Sequence, residues 1–97
     1  MPKARFTWDA RKDRANRNKH GVSFDEARTV FLDDHARLIH DPGHSQQEDR
    51  FVLLGVSERL RLLVVCHCYR EREGVIRIIS ARKATRNERA QYEGYLQ

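Results

Sequence analysis

An α+β fold is what this 97-residue sequence predicts, and three observations carry the prediction. Helix-start signals at Asp9 and Ser23 stand on either side of a glycine stop near the N-terminus. Apolar, β-branched runs then recur four times, and the last three are separated by turns too short for anything but antiparallel neighbours. A Thr-x-x-Glu signal at Thr85 opens one last helix. The order is an N-terminal strand, two helices, a four-strand antiparallel meander and a C-terminal helix, in a single domain spanning residues 1–97.

Each element has a local reason. Residues 4–8 alternate and place Phe6 and Trp8 on one face of a short strand. Asp9 can cap a helix that runs through His20. That helix is mostly polar, with Ala10 and Ala15 its only apolar residues. Gly21 suits the left-handed position that closes a helix, and Lys19 and His20 sit where the helix dipole favours cations. Val22 supplies the apolar contact that goes with such a stop. Ser23 opens the next helix, with Glu26 completing a capping box. Phe24, Ala27, Val30 and Phe31 recur at helical spacing, so this second helix is expected to be buried and to end near Asp33 and Asp34. Strands are expected at 36–40, 50–56, 61–69 and 75–82, with a polar loop at 41–49 and tight turns at 57–60 and 70–74. The final helix turns Tyr92, Tyr95 and Leu96 inward.

Charge is distributed unevenly. Hydrophobic residues make up 39% and charged residues 34%, with a net charge of +5. Residues 1–20 carry a net +5, residues 23–49 a net −5 and residues 50–97 a net +5. Two basic segments brought together by the fold would attract phosphates; left apart, they are ordinary solvated charge. No run approaches the apolar length of a membrane span, and no apolar signal region follows the first residues, so a cytosolic protein is expected. Cys66 and Cys68 are read as reduced packing residues on opposite faces of a strand. His35, His40 and His44, with Asp33, Asp34 and Asp41, match no metal-site spacing and read as solvated loop. No metal or cofactor is expected.

The stretch that could do chemistry is the last hairpin. If its loop is 70–74, Tyr69 pairs with Val75 and His67 lies opposite Arg77; a loop one residue shorter separates them. Metal-independent RNA cleavage needs a base for the 2′-hydroxyl, an acid for the leaving oxygen and cations for the developing charge. Histidine can be either acid or base near neutral pH, and arginine offers phosphate a fixed fork. Arg82 and Lys83 end the strand, and Arg86 and Arg89 follow in the first helical turn, where cations are unfavourable unless a phosphate binds. Bland alternatives stand beside each: a structural histidine, an Arg77 paired with an acid such as Glu88, a solvated basic helix, and Tyr92 in the core rather than stacked on a base.

Phe6-Thr-Trp-Asp9, Asn16, Lys19-His-Gly-Val-Ser-Phe24, Glu26-Ala27, Val30-Phe31, Arg50 ahead of a strand reaching Gly55, Leu63-Val-Val65 with His67, and Arg77-Ile-Ile-Ser-Ala-Arg-Lys-Ala84 with Glu88-Arg89 and Tyr92 run in order along nearly the whole chain. This pattern resembles the BrnT family of toxins from bacterial type II toxin–antitoxin pairs. The resemblance implies a RelE-like fold, ribonuclease activity that inhibits translation, and neutralisation by a BrnA antitoxin of the ribbon–helix–helix type, with DNA bound only through the complex. Carried over position by position, it favours Lys19, His20, Arg50, His67, Arg77, Arg82, Lys83, Glu88 and Tyr92 as site residues. The strand geometry prefers His67 or Glu88 for proton transfer and Arg77, Arg82 and Lys83 for the phosphate, leaving Lys19, His20, Arg50, Arg86 and Tyr92 to hold RNA. The rivals are a non-catalytic nucleic-acid-binding module and a corepressor half that has lost turnover.

Overall fold

A computed structural model describes residues 5–39, 50–69 and 74–96. The elements are β1 (Arg5–Thr7), α1 (Ala10–His20), α2 (Phe24–Arg28) continued by a 3-10 turn (Thr29–Leu32), β2 (Arg37–Ile39), β3 (Arg50–Val56), β4 (Leu62–Tyr69), β5 (Val75–Lys83) and α3 (Arg86–Tyr95). They build one five-stranded sheet in the order β1-β5-β4-β3-β2. The pairs β2–β3, β3–β4 and β4–β5 are antiparallel, and β1 joins the far edge parallel to β5.

The helix signals act as written. Asp9 accepts from the backbone N–H groups of Arg11 and Lys12, and Gly21 stops α1 at φ 71°. Ser23 accepts from the Glu26 N–H at 3.0 Å, but the expected reciprocal half of that box is missing. Glu26 is buried and turns its carboxylate to Ser57 and Arg61 instead. The second helix also tightens earlier than expected, because the Thr29 hydroxyl donates to the Glu26 carbonyl at 2.6 Å and the next residues close as 3-10.

Two cores flank the sheet. On one side Val22, Phe24, Ala27 and Val30 pack on Leu53, Leu63, Val65, Ile78 and Ala81; this is the α2 face. On the other, Tyr92 packs with Val52, Leu54, Leu62 and Val64; this is the α3 face. The 3-10 turn comes so close to β3 that a Cβ on Gly55 would stand 2.8 Å from Val30 Cγ1 and 2.9 Å from Ala36 Cβ. Gly55→Ala should therefore cost about 1–3 kcal/mol, read as a lower urea midpoint at unchanged m-value.

α1 is held by one polar side chain rather than by an apolar stripe. Buried Asn16 donates to the carbonyls of Val22 and Ala81, each at 2.8 Å, and accepts from the Ala81 N–H at 3.1 Å. β1 pairs with β5 only from Val75 to Arg77, so Ala81 has an open backbone edge that Asn16 fills.

Candidate nucleic-acid interface

Strand register decides which cations share a face, and it differs from the expected one. Tyr69 pairs with Ile76, Cys68 with Arg77 and His67 with Ile78. A bulge follows, since Cys66 pairs with Ser80 and Ile79 is left over on β5. The expected His67–Arg77 pair is thus absent: the loop slips the register by one residue, and a one-residue slip exchanges faces.

His67 lies on the α2 face and is fully buried. Its ring meets Phe31 at 4.8 Å, Tyr69 at 5.4 Å and Phe51 at 6.1 Å between centroids. Nδ1 donates to the Val65 carbonyl at 3.2 Å, which leaves Nε2 a lone pair without a hydrogen bond inside the aromatic cage. Burial pushes its pKa below the usual histidine value, and the Val65 carbonyl only partly offsets this. A neutral, inaccessible imidazole cannot exchange a proton with a bound RNA. It instead makes the fold acid-sensitive. The unfolded chain takes up the proton as pH falls through about 6.5 while the folded chain does not, so stability falls with pH from there down to the folded pKa. The melting temperature should drop more between pH 7 and pH 5.5 for the wild type than for His67→Leu; equal slopes would contradict this.

Glu88 is not an available proton carrier either. Its two oxygens accept from Arg82 Nη1 and Nη2 at 2.8 and 2.9 Å, and Oε1 also accepts from the Thr85 N–H at 2.9 Å. The Arg82 fork holds its pKa down at about 2. The Thr85 capping box is complete, as expected. Tyr92 is 7% exposed and donates to Asp33 Oδ2 at 2.6 Å. Burial, with Asp33 beside it, raises its pKa to about 12. It is a core residue and not a base-stacking platform.

The basic pair at the end of β5 divides. Arg82 stands opposite Val64 on the α3 face, and Lys83 opposite Leu63 on the α2 face. Lys19 and His20 end α1, where the cap and the dipole account for them. Arg86 is exposed at the start of α3. The expected convergence of His67, Lys83 and Glu88 with Arg77 on one phosphodiester is therefore not what the fold delivers.

What the fold does bring together is a basic row on the α3 face. Arg50 pairs with Cys68, and Cys68 with Arg77, across β3, β4 and β5. Neighbouring strands lie about 4.8 Å apart, so the two arginine Cα atoms stand about 10 Å apart with Cys68 between them. Thr7 extends the row on β1, opposite Arg77. Ser80 and Arg82 follow along β5 on the same face. α3 covers the Leu54–Val64 end and leaves Thr7 and Ser80 exposed and Arg50, Arg77, Cys66 and Cys68 half-exposed. Both cysteines share this face, contrary to expectation, because residues two apart on a strand point the same way; neither is joined in a disulfide.

Two polar residues were missed by the sequence reading. Asn16 offered no signal beyond an amide among charges. Asp33, expected in a solvated patch, accepts from Tyr92, from the Val56 N–H at 2.9 Å and from the His35 N–H at 2.9 Å. Burial would raise its pKa, but these hydrogen bonds outweigh that and hold it low. His40, Asp41 and His44 lie outside the described residues. Among the described residues no cluster of three metal-ligating side chains occurs, and no helix is long and apolar enough to cross a membrane.

Comparison with known proteins agrees with this architecture. The crystal structure of the ribonuclease toxin BrnT of Brucella abortus matches with a TM-score of 0.66, covering 87% of this chain and 100% of that one at 21% identity, which is a likeness of fold. Comparison with curated proteins finds no match. A family model described as the ribonuclease toxin, BrnT, of type II toxin-antitoxin systems matches residues 8–88. With that match over most of its length, and with the fold to go with it, the chain belongs to the BrnT family of ribonuclease toxins.

Proposed function

We propose that this chain is an endoribonuclease whose RNA substrate lies on the α3 face, over β4 and β5. The observation that carries the proposal is the row Arg50–Cys68–Arg77 on the part of the sheet that α3 leaves open. Arg50 and Arg77 grip phosphate oxygens from either side, and Arg82, its charge balanced by Glu88, closes the end of the strip with an oriented guanidinium rather than a net charge. Cleavage proceeds by attack of the 2′-hydroxyl oxygen on the adjacent phosphorus: the P–O5′ bond breaks to leave a 2′,3′-cyclic phosphate, water takes up the hydroxyl proton and water protonates the departing 5′-oxygen. The arginines stabilise the charge that accumulates on the phosphorane, the service a divalent ion gives elsewhere. None of the described histidines stands on this strip, so rate enhancement comes from positioning and charge. The pH–rate profile should accordingly lack a limb near 6.5. A break there would return a histidine to the mechanism.

The partner proposed is a BrnA-like ribbon–helix–helix antitoxin that covers the basic strip, and DNA is met only through that complex. Cleavage of messages inhibits translation in the cytoplasm, and the sheet belongs with the RelE-like toxins. A family of type II toxins supports the existence of a protein antitoxin. Purified protein incubated with single-stranded RNA in excess chelator tests the activity: discrete shorter products are expected. One observation favours the non-catalytic nucleic-acid-binding reading, namely that His67 and Glu88 are both withdrawn from proton transfer. Retarded but intact RNA would establish that reading.

A further inference from the structure

The sheet's longest strand, β5, carries a bulge opposite the step from Cys66 to His67. Ile78 and Ala81 are both buried in the α2-side core. They are three residues apart, an odd spacing that a regular strand cannot place on one face. The extra residue makes it possible, and leaves half-exposed Ile79 and exposed Ser80 together outside that core. Ser80 pairs with half-exposed Cys66 and stands between Arg77 and Arg82, with a side-chain hydroxyl that can both donate and accept. Bulges often re-aim a side chain beside a functional site.

We infer that Ser80, delivered by the bulge, is a specificity-determining residue that reads a nucleobase of single-stranded RNA while Arg77 and Arg82 hold the flanking backbone. The inference rests on the proposed RNA surface and adds the part of the substrate that is recognised. Phosphate contacts alone carry no sequence information, whereas a hydroxyl against a base edge does. Single-stranded RNA presents that edge because its bases can be splayed out.

Two readouts test it. The first is binding of four uncleavable 2′-O-methyl homo-oligonucleotides to the full chain. The wild type should prefer one base over the weakest by about tenfold, the worth of one good hydrogen bond. Ser80→Ala and Ser80→Val should flatten that preference, and Ser80→Thr, which keeps the hydroxyl, should retain it. The second readout is the distribution of cut positions in a randomised RNA, normalised to total cleavage, which should change in the same order. Equal binding of all four oligomers by the wild type, or an unaltered preference in Ser80→Ala, overturns the inference. A wild type that binds one base preferentially but never cuts overturns the nuclease reading and leaves the recognition role standing.

Discussion

Arg77→Ala will lower RNA cleavage by about 100-fold or more, the usual cost of removing one preorganised donor from a charged transition state. The fold should tolerate it. Arg77 is half-exposed on β5, so stability should stay within about 0.5 kcal/mol of the wild type. Arg50→Ala should act in the same direction, since it flanks Cys68 from the other strand. Arg77→Lys keeps the charge but loses the planar fork, and recovers only part of the activity. His67→Leu, by contrast, should cleave at a rate near that of the wild type, because the imidazole is sealed in its aromatic cage. Single-turnover cleavage by the four variants gives the order. Activity lost with His67→Leu and kept with Arg77→Ala would reverse the site.

The largest loss of stability is expected at Asn16. Its amide makes three buried hydrogen bonds to the backbone of Val22 and Ala81. Truncation strands two carbonyls and one N–H at about 1–3 kcal/mol for each buried group left unpaired, so Asn16→Ala should cost roughly 3–5 kcal/mol after partial access of water. Asn16→Asp should be worse, because a carboxylate would face the two carbonyl oxygens to which the amide now donates. Urea unfolding at pH 7 measures both. A cost under about 1 kcal/mol for Asn16→Ala would mean that α1 is not held by this bridge.

Local chemistry was legible in the sequence and long-range pairing was not. Asp9, Gly21 and Thr85 act within three or four residues of themselves, so their signals survive without the fold. Glu26 carries the same box pattern as Glu88 and does something else, because Arg61, 35 residues away, is a better partner for a buried carboxylate than its own cap. Asn16 and Ala81 are 65 residues apart, and no periodicity connects them. The strands were found from their apolar runs. The His67 register depends on a loop length that no apolar pattern fixes, and a slip of one residue there puts His67 and Arg77 on opposite faces. Cys66 and Cys68 share a face, against expectation, for a simpler reason: strand periodicity is two. The charge segments say where cations are concentrated along the chain but not which of them share a face. Only the register puts Arg50, Arg77 and Arg82 on one face and Lys83 on the other.

Cys68 supplies the most direct measurement. Cys68 lies between Arg50 and Arg77, so anything bound to both arginines must cover its thiol. The rate of iodoacetamide alkylation at Cys68 should fall at least severalfold when a saturating 2′-O-methyl RNA is bound, and recover at high salt as the phosphate contacts are released. An unchanged rate with RNA fully bound would show that the substrate lies on some other surface, and would contradict the assignment of the α3 face.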